Sequence, residues 1–190
     1  MNSQQPSAKR LKEFFLAMTR TSFGQLGLGD QQIVDYVASV LTDLTAADRW
    51  LALRDAKGRR LTSVVEMLAS QLRAPQTSRR VLGERELRKY VGDYTLFMSG
   101  LFRTFVERGG YLDYYFEQGK RSYQTVSELD VALYRPGFLM FEELSRGFEN
   151  YSGALDYMRK CFLKPAPNQD PFAGFAERIE GWIRLRLTPN

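Results

Sequence analysis

Between residues 83 and 108 the large apolar side chains Leu87, Tyr90, Val91, Tyr94, Phe97, Met98, Leu101, Phe102 and Phe105 recur mostly at intervals of three and four. That is the period at which a helix brings side chains to one face. A stripe this long and broad predicts a central helix that must be covered by other helices to leave water. Gly109-Gly110 then reverses the chain. Leu112, Tyr115, Phe116, Gly119, Tyr123, Val126 and Leu133 form an answering face on a second helix that stops before Pro136, because the residue ahead of a proline is driven out of the helical region. A turn this short predicts antiparallel packing of the pair.

The same period places the other elements. Leu11, Phe14, Phe15 and Met18 mark a first helix over residues 8–20, and Gly24, Gly27 and Gly29 make 21–29 a connector. Asp30 is placed to cap the next helix by accepting from its free backbone N–H groups. That helix carries Ile33, Tyr36, Val37, Val40, Leu41 and Leu44. A short helix over 45–54, with a hairpin about Gly58 as its alternative, precedes a helix opened by a Ser63/Glu66 capping box. Phe138, Phe141, Leu144, Phe148, Tyr151, Leu155, Met158 and Phe162 read as one long helix, and Asp170-Pro171 opens a last one containing Trp182. The expected fold is therefore all-α: a single-domain bundle of about six or seven helices over residues 8–190, around a long central helical hairpin. Residues 1–7 are expected to be a disordered tail without the apolar core of a secretory signal. Phe97, Leu101, Phe105, Tyr115, Phe141, Phe148 and Trp182 are expected in the core.

Composition removes whole classes of function. The chain has 190 residues, one cysteine and no histidine. The single Cys161 excludes an intrachain disulfide framework, which points to a reducing, cytoplasmic setting. The absence of histidine removes the usual imidazole base, the Ser-His and Cys-His nucleophile pairs and the commonest transition-metal ligand together. A carboxylate-bridged di-metal bundle needs Glu-x-x-His pairs as well as glutamates such as Glu142 and Glu143. No metal, cofactor or catalytic residue is therefore expected. No apolar run approaches the roughly 20 residues of a bilayer span.

Two features point toward binding. Residues 49–89 hold eleven Lys and Arg against four acids, a net of +7, while the rest of the chain is slightly acidic. If functional, this segment would contact an anion or nucleic acid through Arg59, Arg60, Arg79, Arg80 and Arg88. Solvated loops and helix ends are the favoured reading, since no nucleic-acid motif frames those residues. The second feature is a cluster of tyrosines around the hairpin. Tyr90, Tyr94, Tyr115 and Tyr123, with Asp93, are candidates to line a pocket for an apolar ligand with a polar end, although filling the core is the plainer use of such residues. Gly92 and Gly100 predict close backbone approach to the central helix. Asp93 is expected to pair with Lys120 or Arg121 across the hairpin.

The segment from Gly92 to Phe102, GDYTLFMSGLF, followed by YFEQGKRSY from Tyr115 to Tyr123, resembles the signature of an uncharacterised bacterial family of all-helical proteins. Residues 22–27, with Tyr36-Val37-Ala38, are similar to the N-terminal part of that family. Arg103-Thr104 stands where the family carries a proline-glutamate pair. The resemblance implies a helical fold and a bacterial cytoplasmic origin, and brings no activity or site residues with it.

By elimination, the expected function is that of a non-enzymatic interaction or regulatory protein, engaging a protein partner or its own copy. The alternatives are a small-molecule or lipid-binding protein, with its cavity between the hairpin and the 138–162 helix, and an anion- or nucleic-acid-binding protein. An enzyme would need Asp93 and neighbouring tyrosines to converge in a cleft.

Overall fold

The computed structural model describes residues 8–45 and 79–163, which form seven helices and no strand. They are α1 (Ala8–Gln25), α2 (Gln31–Thr45), α3 (Arg79–Leu101), α4 (Arg103–Arg108), α5 (Leu112–Ala132), α6 (Phe138–Arg146) and α7 (Phe148–Phe162). The tail 1–7, the elements expected between 45 and 72, and the last helix with Trp182 lie outside the described residues. The all-α bundle expected from the periodicity is what the chain forms.

The central element is α3, packed against α5, α7 and α2. Arg85 meets Asp130, Gly92 meets Tyr123 and Thr95 meets Gly119. Partner numbers thus fall as α3 advances, so α3 and α5 run antiparallel. From Val91 to Phe102 every residue of the central segment is buried, so it is enclosed on all sides rather than along one stripe. Small residues make this closure feasible. A Cβ on Gly92 would come within 2.6 Å of the Tyr123 ring, and one on Gly100 within 2.5 Å of the Leu155 side chain. Glycine costs a helix about 1 kcal/mol relative to alanine, which here is offset by the approach of α5 and α7. On the α7 side the buried hydroxyls of Ser99 and Ser152 hydrogen-bond each other at 2.9 Å.

Three boundaries differ from the sequence reading. Helix α1 continues past Arg20 to Gln25 because Ser22 and Phe23 extend its buried face. It ends where Leu28 N–H donates to Phe23 C=O and Gly27 N–H to Gly24 C=O, with Gly27 at φ +73°. This pair of bonds closes a helix around a left-handed residue, and Gly27 is the terminator. The central helix breaks at Phe102, whose ψ of 27° lies outside the helical range. The break brings Phe102 and Val106 inward and leaves Phe105 49% exposed, so Phe105 is not the core residue expected. The 138–162 helix is divided at Gly147 into α6 and α7. The apolar period runs through the division because Phe141 and Leu144 on one side and Phe148 and Tyr151 on the other are all buried. Tyr115 is half-buried, Leu133 is exposed, and Phe97, Leu101, Phe141 and Phe148 are core as expected.

Candidate functional site

Helix α2 begins with the expected cap: Asp30 Oδ1 accepts from Ile33 N–H at 3.1 Å. This fixes the start of the helix, and its period then sets Tyr36, Ser39, Val40, Asp43 and Leu44 along one edge. Across from them α3 presents Lys89, Tyr90 and Asp93. Together these eight residues line a cleft of about 180 Å³ between α2 and α3. The cleft is therefore not where the sequence reading placed a cavity, between the hairpin and the 138–162 segment.

Asp93 organises the site. Its Oδ1 accepts from the Tyr36 hydroxyl at 2.5 Å and from the Tyr123 hydroxyl at 2.9 Å, while Oδ2 accepts from the Lys89 ammonium at 2.7 Å. Tyr123 reaches the carboxylate because its ring lies across Gly92, where a side chain would block it. The Lys89 ammonium also stands 5.1 Å from the centre of the Tyr36 ring, a cation over an aromatic face. Asp93 consequently faces α2 and not the positive groups expected. Lys120 pairs with Glu149, and Arg121 with Glu117.

Burial first, and then the negative charge of Asp93, push Tyr36 and Tyr123 well above the ordinary tyrosine range. Burial pushes Tyr90 up to about 12. All three phenols hold their protons at neutral pH, so Tyr36 and Tyr123 act as donors. Three acceptor positions of Asp93 are filled, two on Oδ1 and one on Oδ2, so the carboxylate is engaged from α2, from α5 and from its own helix. The network is built to hold Asp93 and Tyr36 in place at the floor of the cleft.

Of the tyrosines singled out in the sequence, Tyr90 lines the cleft and Tyr123 stands behind Asp93. Tyr94 is buried between Tyr90 and Tyr115, with ring centres 6.3 and 6.4 Å away. Neither Tyr94 nor Tyr115 is among the cleft residues. Sequence reasoning missed Tyr36, Ser39, Asp43 and the part played by Lys89. The i, i+4 spacing of Lys89 and Asp93 was a usable signal, whereas Tyr36 lies 57 residues from Asp93 and nothing local joins them.

The basic segment is only partly described. Arg59 and Arg60 lie outside the described residues, and Arg79 and Arg80 form the first turn of α3, where their backbone alone is described. Arg88 is half-buried, with Nε enclosed and without a hydrogen-bond partner. Two neighbouring cations are engaged internally: Lys89 by Asp93 and Arg85 by Asp130 and Glu86. Among the described residues no group of three or more acids or cysteines is arranged to hold a metal, and Glu142 and Glu143 both face Arg146. No described helix is long and apolar enough to cross a membrane.

Comparison with protein-family models, with curated proteins and with solved structures returned no match.

Proposed function

We propose that this chain is a non-enzymatic helical binding protein whose ligand is a small molecule seated between α2 and α3. The observation that carries the reading is the cleft itself, with Tyr36, Tyr90, Val40 and Leu44 as aromatic and aliphatic wall and with Ser39, Asp43, Lys89 and Asp93 as polar groups. A mostly apolar concavity with a few converging polar groups is the general form of a ligand site. Its 180 Å³ is close to the roughly 150 Å³ cavity that accepts one benzene, so the ligand is a single ring or a short chain. The internal satisfaction of Asp93 supports binding over catalysis. Membership of the bacterial helical family belongs to the same proposal and adds no activity to it.

The test is a thermal-shift screen of single-ring and short-chain metabolites on the protein and on Ser39→Trp, in which an indole fills the cleft from its half-buried edge. Compounds that raise the Tm of the parent by several degrees and leave Ser39→Trp unmoved are expected. If none separates the two proteins, the reading is wrong.

One observation favours a second reading, self-association through the turn after α5. Arg135 N–H donates to Asp130 C=O and Tyr134 N–H to Val131 C=O, so Tyr134 occupies the left-handed closing position at φ 53°. Glycine fills that position at least strain, whereas a larger residue pays about 1–2 kcal/mol. Tyr134 is nonetheless 97% exposed, and the apolar Val131 and Leu139 are 54% and 65% exposed. Stability does not account for a tyrosine there, whereas an interface with a second copy would. Tyr134→Gly is then expected to stabilise the monomer by about 1 kcal/mol and to remove a dimer seen by native mass spectrometry. A parent protein that stays monomeric at hundreds of micromolar would rule this out.

A further inference from the structure

The charges in the cleft carry the small-molecule reading one step further, to the class of ligand. Lys89 contributes one positive charge and Asp43 and Asp93 two negative ones, so the lining is net −1. The charge of the Lys89 ammonium is offset by Asp93 at 2.7 Å. That leaves Asp43, an exposed carboxylate at the edge of the cleft for which the described residues supply no hydrogen bond or ion pair. The other groups around it favour the same sign of charge. Aromatic faces attract cations, and the cleft has two tyrosines, one of which already carries the Lys89 ammonium over its ring. Val40 and Leu44, one turn apart on α2, offer an aliphatic bed and no donor. Ser39 spends its hydroxyl proton on Asp35 C=O at 2.9 Å, so it presents an acceptor to the cleft. An anion entering here would meet Asp43 and a Lys89 charge already offset by Asp93. A cation would meet Asp43, a serine lone pair and a tyrosine face.

Resting on the small-molecule reading, we propose that the cleft binds a small organic cation: an amine or quaternary ammonium on an apolar body of about one ring. The charge sits at Asp43 with the body against Val40, Leu44 and Tyr90. Lys89 stays on Asp93 and acts as the internal wall that keeps Tyr36 in place.

The test uses benzyltrimethylammonium, benzylamine, benzyl alcohol and benzoate, which share one ring and differ in charge. Each is titrated into the full-length protein, into Asp43→Asn and into Ser39→Trp, with the dissociation constant followed by amide chemical shifts. The two cations are expected to bind at least tenfold more tightly than benzoate and benzyl alcohol. Asp43→Asn should weaken the cations about fivefold, which is what one partly exposed charge pair supplies, and should leave the alcohol unchanged. Ser39→Trp should bind none of them. If benzoate or the alcohol binds as well as the cations and Ser39→Trp abolishes it, the cation assignment fails while the small-molecule reading stands. If no probe distinguishes the parent from Ser39→Trp, both fail.

Discussion

Asp130→Ala is expected to destabilise the protein by about 3–5 kcal/mol, the usual cost of removing one partner from a buried ion pair. Asp130 is fully buried, and its two carboxylate oxygens accept from Arg85 Nε at 2.5 Å and Nη2 at 2.8 Å. Arg85 is itself buried, with its guanidinium 5.6 Å from the centre of the Phe141 ring. The hydrogen bonds to Asp130 are the main cause holding Arg85 even further above its ordinary range. Without Asp130 the guanidinium keeps, among the described residues, only Glu86, which is largely solvated, and the Phe141 face. The stranded charge, more than the lost attraction, is the source of the cost. For a chain of 190 residues the Tm should fall by roughly 6–20 °C. The paired replacement Arg85→Met with Asp130→Leu removes both charges at similar volume and is expected to recover most of the loss. A loss under 1 kcal/mol for Asp130→Ala in urea denaturation would mean that water reaches Arg85.

The helices were legible in the sequence because burial repeats at their period, and their breaks were hidden for the same reason. Phe141, Leu144, Phe148 and Tyr151 keep helical spacing straight across Gly147, so a pattern of apolar residues cannot register the division between α6 and α7. The break at Phe102 was invisible in another way. Phe102 and Phe105 are both large and apolar, and only the neighbours decide which one turns inward. The small polar residues of α3 show the limit most clearly. Thr95 and Ser99 are fully buried, although they interrupt the apolar stripe, because Thr95 returns its hydroxyl to Val91 C=O at 2.7 Å and Ser99 meets Ser152.

The site was half legible. Asp93 stood out as a carboxylate beside a buried stripe, and Gly92 as a gap beside it. Which groups fill the gap depends on how α2 and α5 dock on α3, and docking is a property of whole faces. Tyr123 and Tyr36 therefore reach the carboxylate from chain positions 30 and 57 residues away, while Lys120, correctly read as a cation on α5, turns to Glu149 instead.

Where α5 and α7 meet, the bundle depends on a fit between one glycine and one ring. Phe148 is fully buried, with ring centres of Phe116 and Tyr123 6.1 and 6.0 Å away. A Cβ on Gly119 would collide with that ring and come within 2.8 Å of Thr95 Oγ1. Phe148→Ala is expected to cost about 3–5 kcal/mol, through lost burial and the cavity left behind. Gly119→Ala would gain up to about 1 kcal/mol of helix propensity on an exposed helix. Here the clash outweighs that gain, because overpacking costs about 1–3 kcal/mol and the ring is hemmed in by its neighbours. The two substitutions should not add. With Phe148 already truncated, the methyl group of Gly119→Ala enters vacated space, so the second change should cost at least 1 kcal/mol less than it does alone. Residues in direct contact show couplings of 0.5–3 kcal/mol, whereas independent sites add within about 0.5 kcal/mol. A double-mutant cycle in urea closing additively within that margin would show that α5 and α7 do not touch at this point and that the packing of the central hairpin must be redrawn.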